Sequence, residues 1–140
     1  MKPGVLFLCV HNAGRSQMAA GFLRALGGDV IDVFAAGSDP SGSLNRAAVE
    51  AMAEAGIDIA GEVPRRWSDE MIESVDVVVT MGCGDTCPVF PGKRYVEWEI
   101  EDPAGKSLDQ VRPIRDEVER RVHDLMIELG VDPSDDRASE

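Results

Sequence analysis

The chain is poor in basic residues, aromatic residues and cysteine. Its 140 residues include 14 Lys and Arg against 26 Asp and Glu, a net charge of −12, and only three cysteines. Affinity for a phosphate backbone comes largely from clustered Lys and Arg, so this charge balance argues against nucleic acid as a partner. Three cysteines in a chain without an export signal are typical of thiols that stay reduced rather than of a disulfide framework.

Long apolar runs are also lacking. No run reaches the ~18–20 residues that cross a bilayer, and the apolar stretch after Gly4 is too short for a signal peptide. We therefore expect a cytoplasmic protein that does not bind membranes. With 44% hydrophobic residues, the chain can fill one core without a metal or a disulfide. We expect a single domain over residues 1–131 and a disordered, acidic tail over residues 132–140.

Strand and helix patterns alternate along the chain. Short apolar runs, rich in β-branched residues, predict strands at Val5–Cys9, Val30–Ala36, Val75–Met81 and Arg94–Trp98. Apolar residues at helical spacing and capping residues predict helices at Ser16–Leu26, Asn45–Ala55, Ser68–Glu73 and Leu108–Leu129. This alternation predicts an α/β fold, a small parallel sheet with helices on both faces.

The loop between the first predicted strand and helix carries the strongest functional signal. It reads Cys9-Val10-His11-Asn12-Ala13-Gly14-Arg15-Ser16 and lies at the sheet edge where parallel α/β folds bind ligands. A cysteine and an arginine separated by five residues arise readily by chance. A glycine-containing loop that opens a helix, however, directs backbone N–H groups at a tetrahedral oxyanion. We interpret residues 10–16 as an oxyanion-binding loop.

Cys9 and Arg15 gain their chemistry from that setting. The positive end of the helix dipole favours the thiolate form of Cys9, and Ser16 could donate a hydrogen bond to the sulfur. Arg15 could hold two oxyanion oxygens in a bidentate fork. We predict a nucleophile and an anion clamp; the alternative is an inert buried thiol beside a solvated arginine. His11 is either a solvated loop residue or an influence on Cys9.

Asp102 lies beyond the fourth predicted strand, on the side of the sheet where the loop opens. Because Pro103 restricts it to extended or turn conformations, its carboxyl group projects from a stiff loop. A neighbouring thiolate or dianion would favour its protonated form, as a general acid requires. The residues alone leave two interpretations open, a general acid and an ordinary Asx turn.

Cys83 and Cys87 follow the third predicted strand, at the same sheet edge, so both thiols could face Cys9. A zinc site would need a second pair of ligands. His11 and His123 lie on different elements without ligand spacing, so we predict no metal. Cys83 and Cys87 are therefore either redox partners of Cys9 or a pair of structural thiols.

Two segments of the sequence, the loop after the first strand and the Asp-Pro segment, resemble those of a known family. Residues Cys9–Ala19, together with Glu101–Lys106, are similar to the arsenate reductases built on the fold of the low-molecular-weight protein tyrosine phosphatases. The resemblance implies a four-stranded parallel sheet, Cys9 as the nucleophile, residues 10–15 as the oxyanion loop and Asp102 as the general acid. It also implies that Asn12 holds the loop together. Ala20 stands where some relatives carry a Glu of a monovalent-cation site, so we predict no such ion.

The resemblance also implies a reaction. Cys9 would attack arsenate, with phosphate or sulfate as competing oxyanions, and a second thiol would release arsenite. That thiol is either Cys83 or a small thiol such as mycothiol. In thioredoxin-coupled relatives two cysteines in the region of Cys83 and Cys87 pass the oxidising equivalents outward, usually at a wider spacing. The reductant would be thioredoxin or a mycothiol and mycoredoxin system, and no cofactor is expected.

Two other functions would use the same loop. A tyrosine phosphatase would employ Cys9, Arg15 and Asp102, but it must hold an aromatic ring, and Ala104 and Gly105 follow the Asp-Pro pair here. A non-catalytic module could bind phosphate or arsenate through the loop alone. Asp102 and the thiol pair favour the reductase over both.

Overall fold

The computed structural model describes residues 2–82 and 92–131. In these residues the order is β1 (Gly4–Cys9), α1 (Arg15–Gly27), β2 (Asp32–Gly37), α2 (Arg46–Glu54), α3 (Asp69–Glu73), β3 (Val77–Thr80), β4 (Arg94–Glu97) and α4 (Leu108–Glu128). The predicted relay cysteines, Cys83 and Cys87, and the predicted tail, residues 132–140, lie outside the described residues. No helix in the described ranges is long and apolar enough to cross a membrane.

The four strands form one parallel sheet in the order β2-β1-β3-β4, which confirms the predicted fold class. β1 lies inside the sheet, and Cys9 at its carboxyl end pairs with Gly37 of β2. The chain moves to one side of β1 to form β2 and to the other side to form β3, so the strand order reverses there. Ligands bind outside the carboxyl ends of strands at such a reversal. The fold therefore exposes the loop after Cys9 at its preferred ligand-binding position.

The side chains of β1 alternate between two apolar clusters. Val5, Phe7 and Cys9 belong to the larger cluster, which includes buried residues of α1, α2 and α4. Leu6 and Leu8 belong to the smaller cluster, to which α3 contributes. Helices lie on both faces, as predicted, but among residues 2–82 and 92–131 three cover one face and the short α3 alone covers the other.

Three predicted strands are longer than the observed ones. The amides of Val30 and Ile31 both donate to the Gly27 carbonyl, so these residues belong to the turn that ends α1. Val75 and Met81 are buried but lie outside β3. Apolar runs report burial, whereas a strand is bounded by its ladder of hydrogen bonds. The predicted boundaries therefore exceed β3 and β4 where buried residues, Trp98 among them, continue past the ladder. At β2 the prediction instead took in the turn that ends α1, where Val30 is 43% exposed.

Ion pairs join α2 to α4 on the surface of the larger layer. Glu54 Oε2 lies 2.6 Å from Arg112 Nη2, and Glu54 Oε1 lies 3.0 Å from Arg115 Nη1. The hydrogen bond from Arg112, aided by Arg115, lowers the pKa of Glu54 to about 2. These pairs are partly exposed, so they fix the register of the two helices more than they stabilise the fold.

Candidate active site

The loop from β1 to α1 turns sharply beside Gly37, the last residue of β2. Asn12 has a φ of 52°, in the left-handed region that asparagine tolerates better than most residues. A Cβ atom on Gly37 would lie 2.6 Å from the Val10 carbonyl oxygen and 3.1 Å from Asn12 N. Glycine at the end of β2 therefore lets the loop pack against its neighbouring strand.

The carbonyl groups of the loop point away from its centre. They accept hydrogen bonds from a neighbouring segment: Cys9 from Ser38, Val10 from Asp39, His11 from Ser41 and Ala13 from Asn45, at 2.8 to 3.2 Å. Gly14 is the N-cap residue of α1 and provides no side-chain cap. With its carbonyls engaged outside, the loop can present N–H groups and the helix dipole to an anion.

Cys9 is 2% exposed and two groups approach its sulfur. Ser16 Oγ lies 2.9 Å from Cys9 Sγ, and the Asn12 backbone N–H donates to the same atom at 3.3 Å. Asn12 Nδ2 also donates to Ser16 Oγ, at 2.6 Å. Because that bond uses Ser16 Oγ as an acceptor, the single hydroxyl hydrogen of Ser16 is free to point at the sulfur. A Cys9 thiolate would thus accept two hydrogen bonds.

Arg15 is a nearly buried cation at the start of α1, with 8% of its surface exposed. Its Nη1 donates to the Ile100 carbonyl oxygen at 3.4 Å, and its Nη2 lies 3.7 Å from Asp102 Oδ2. These contacts anchor the guanidinium from the β4–α4 side of the site. A planar fork fixed in this way is suited to a bidentate contact with an oxyanion.

The geometry of Asp102 fits both interpretations that the sequence leaves open, the Asx turn and the general acid. Its Oδ1 accepts a hydrogen bond from the Ala104 backbone at 3.0 Å, which is an Asx turn, while Oδ2 faces Arg15. The side chain is 50% exposed. The buried Pro103 ring lies against the loop, where a Cβ on Gly14 would be 2.6 Å from Pro103 Cγ. The turn therefore orients one oxygen and leaves the other to face the guanidinium.

His11 lies on the outer rim of the loop. It is exposed, and its Nδ1 is 3.0 Å from the Asp39 carbonyl oxygen. This contact ties the ring to the segment that follows β2. The geometry favours the interpretation of His11 as an exposed loop residue.

Gly82 approaches Arg15 from the end of β3. It has a φ of +82°, and a Cβ atom there would overlap with Arg15 Nη1. We expect Gly82→Ala to push the guanidinium off its anion-binding position and to weaken phosphate binding by about tenfold, roughly 1.4 kcal/mol. Isothermal titration calorimetry with inorganic phosphate measures this change without turnover.

Gly56→Ala is the matched control for that variant. Gly56 has a φ of +83°, and nothing lies within 4 Å of the Cβ position. Both variants therefore carry a similar backbone penalty, but only Gly82→Ala displaces Arg15. Equal phosphate affinities in the two variants would contradict the assigned contact.

Three residues at the site escape prediction from sequence. Gly37 and Gly82 matter because a loop and a guanidinium approach their backbones closely, and no local pattern encodes such contacts. Gln17 is 2% exposed and bonds to Asn12. Gln17 lies on the same face of α1 as Arg24, so the helical pattern does not distinguish it from a surface residue. Within residues 2–82 and 92–131, no group of three or more His, Cys, Asp or Glu is placed to hold a metal.

Comparisons with known proteins place this geometry in a family. The sequence profile described as "Low molecular weight phosphotyrosine protein phosphatase" matches residues 4–134. The glutaredoxin arsenate reductase of Synechocystis is 35% identical over 129 residues, which cover 90% of this chain and 98% of that protein.

Two solved structures are similar in both fold and sequence. The thioredoxin-dependent arsenate reductase of Corynebacterium glutamicum is 38% identical with a TM-score of 0.81, and the match covers 92% of this chain. This chain spans 62% of the length of that structure. An arsenate reductase in its phosphate-binding state is 35% identical with a TM-score of 0.80, and the match covers 91% of this chain and 98% of that one. The chain belongs to the low molecular weight phosphotyrosine protein phosphatase family, in the group of arsenate reductases that share its fold.

Proposed function

We propose that the protein reduces arsenate to arsenite through a covalent adduct on Cys9. The observation that carries the proposal is the environment of Cys9 Sγ, with Ser16 Oγ at 2.9 Å, Asn12 N at 3.3 Å and a buried Arg15 at the start of the same helix. This arrangement stabilises a thiolate and binds a tetrahedral oxyanion at one place. A thiol-driven reaction needs a reducing compartment, so we infer that the protein works in the cytoplasm.

In the first step the Cys9 thiolate attacks arsenic, and a hydroxyl group of arsenate leaves as water. The S–As bond forms while Asp102 donates a proton to the departing oxygen, and arsenic stays in the +5 state. Asp102 Oδ2 lies 3.7 Å from Arg15 Nη2, so the proton donor lies beside the guanidinium that would hold the oxyanion.

In the second step another thiolate attacks Cys9 Sγ. The S–As bond breaks with its electron pair passing to arsenic, which leaves as arsenite, and a disulfide forms on Cys9. The two thiols have lost two electrons and arsenic has gained two. We infer that Cys83 is the second thiol, because Gly82, the residue before it, lies against Arg15 at the site. Cys87 would then take over the disulfide and present it to thioredoxin.

The same Cys9, Arg15 and Asp102 would serve a tyrosine phosphatase. That reaction needs an apolar wall for the phenyl ring of its substrate. Within the described residues, the segments that frame the site at 10–14, 38–45 and 99–107 contain no Phe, Tyr or Trp. Trp98 is buried against Phe7, at a centroid distance of 5.7 Å. The described part of the site therefore favours a small inorganic oxyanion over an aryl phosphate.

The proposal is tested by supplying arsenate and an aryl phosphate to the same preparation. Arsenite formation is measured with thioredoxin and its reductase, and separately with mycothiol and mycoredoxin. We expect arsenite to form and aryl phosphate hydrolysis to be slow. Hydrolysis without arsenite would identify a phosphatase, and oxyanion binding without either product would identify a binding module.

The relay is tested with two cysteine variants. We expect Cys83→Ser to stop at the thiol-arsenate adduct and to give no multiple turnover with thioredoxin, because the adduct on Cys9 meets no second thiol. Cys87→Ser should accumulate a disulfide between Cys9 and Cys83, detected by mass spectrometry under non-reducing conditions. A small thiol would perform the second step instead if two results were found together. Both variants would reduce arsenate with mycothiol at the rate of the unchanged protein, and thioredoxin would not support turnover of the unchanged protein.

A further inference from the structure

Gln17 is a buried polar residue in the first turn of α1 that the proposed chemistry does not use. Its Nε2 donates hydrogen bonds to Asn12 O at 3.2 Å and to Asn12 Oδ1 at 3.0 Å. The backbone N–H of Arg65 donates to the same Oδ1, also at 3.0 Å. Two donors at Oδ1 fix the orientation of the Asn12 side-chain amide, with Nδ2 turned towards Ser16.

That orientation determines the hydrogen bonds at Cys9. Asn12 Nδ2 donates to Ser16 Oγ at 2.6 Å, which leaves the Ser16 hydroxyl hydrogen for Cys9 Sγ at 2.9 Å. A flipped amide would present Oδ1 to Ser16 and would draw the hydroxyl hydrogen away from the sulfur. Gln17 also contacts the backbone carbonyl of Asn12, whose left-handed conformation accompanies an N–H directed at the sulfur.

Packing alone does not account for a glutamine at position 17. The residue is 2% exposed, and its Oε1 is buried without a hydrogen-bond partner among the described residues. It borders a cavity of about 80 Å³, whose other lining residues are Arg24, Phe34, Ala35, Glu62, Arg65 and Met71. A buried, unpaired acceptor lowers stability, and an apolar side chain of equal length would avoid that cost. The two hydrogen bonds to Asn12 are the gain that a glutamine offers here.

We propose that Gln17 is a positioning residue for the nucleophile of the reaction. It fixes Asn12, Asn12 orients Ser16, and the donors from Ser16 and Asn12 stabilise the thiolate of Cys9 relative to the thiol. Gln17 acts through Asn12 and not through the oxyanion. The inference rests on the proposed role of Cys9, but its test needs no arsenate.

The test is the pH profile of Cys9 alkylation by iodoacetamide in Gln17→Met. The variant keeps the length of the side chain and loses both donors. We expect the midpoint of the profile to rise by about half to one pH unit, so that alkylation below the midpoint slows by roughly three- to tenfold. Trypsin separates Cys9, in residues 1–15, from Cys83 and Cys87, in residues 67–93, so mass spectrometry follows Cys9 alone.

Two further variants keep the test decisive. Gln17→Glu retains the shape of the side chain but places an oxygen against the two oxygens of Asn12, so its midpoint should rise as well. Gln110→Met is the matched control, since Gln110 also lies in the first turn of a helix and bonds to backbone, accepting from Ser107 N at 2.9 Å. It should lower the melting temperature without moving the midpoint.

A double-variant cycle separates positioning from simple loss of stability. In an Asn12→Ala background, Gln17→Met should no longer shift the midpoint, because the link to Ser16 is already gone. In the reductase assay, Gln17→Met should lower kcat more than it raises KM for arsenate, since Arg15 and the loop amides remain. An unchanged midpoint in both Gln17→Met and Gln17→Glu would overturn the proposal. A shifted midpoint in a protein that fails to reduce arsenate would refute the proposed function and leave the positioning role intact.

Discussion

Replacement of Cys9 by serine should reduce arsenate turnover by at least roughly a thousandfold while leaving oxyanion binding in place. A serine hydroxyl at this position is neither ionised nor able to form the disulfide that releases arsenite. The amides of the loop and Arg15 are untouched, so phosphate should bind as before. Removal of the thiolate charge should even tighten the binding of a dianion, because the sulfur lies within the same loop.

The measurement is arsenite formation beside phosphate titration calorimetry on the same preparation. Residual turnover within tenfold of the unchanged protein would rule out a covalent role for Cys9. Loss of phosphate binding together with activity would instead mean that serine disturbs the loop. A melting curve decides that point, since Cys9 is 2% exposed and packs in the larger cluster.

The fold follows from local patterns to a large extent. β1 is predicted at Val5–Cys9 and observed at Gly4–Cys9, and α1 is predicted at Ser16–Leu26 and observed at Arg15–Gly27. α1 ends where the sequence changes from apolar periodicity to Gly27 and Gly28, which is a local signal. The unequal covering of the sheet was not predictable, because the side on which each helix packs is decided by long-range contacts.

The candidate site also combines features that short-range sequence predicts with features that depend on long-range contacts. The loop, its place between strand and helix, and the approach of Ser16 to Cys9 all follow from short-range sequence. The contact of Pro103 with Gly14, and that of Gly82 with Arg15, join residues more than sixty positions apart. No spacing along the chain encodes them. For Asp102 the sequence offered an acid or a turn as alternatives, whereas its two oxygens allow the residue to make the turn and face Arg15 together.

Charge at the site opposes the charge of the whole chain. A net charge of −12 repels an arsenate dianion at long range, and salt screens that repulsion over ~8 Å at physiological strength. Binding therefore depends on contacts inside the loop. The buried guanidinium of Arg15 is the side-chain cation that the structure places there, so its loss should have the second largest effect.

Arg15→Ala should weaken phosphate binding by about 2–4 kcal/mol, which is the loss of a charge-assisted bidentate contact. Arg15→Lys should not restore it. A lysine ammonium would carry the charge, but it cannot donate to Ile100 O, face Asp102 and hold two oxyanion oxygens with one planar group. Titration calorimetry with phosphate gives the affinities, and kcat/KM for arsenate should fall at least as far.

Arg46→Ala controls for the removal of a positive charge alone. Arg46 is exposed at the start of α2, next to Asn45, whose backbone N–H bonds to the loop at Ala13. This variant should change phosphate affinity by less than about threefold, because an exposed cation is screened by solvent. If Arg15→Lys bound phosphate as tightly as the unchanged protein, the charge and not the fork would hold the oxyanion. If Arg46→Ala matched Arg15→Ala, the buried guanidinium would have no special role, and the contacts of Arg15 with Ile100 and Asp102 would be structural only.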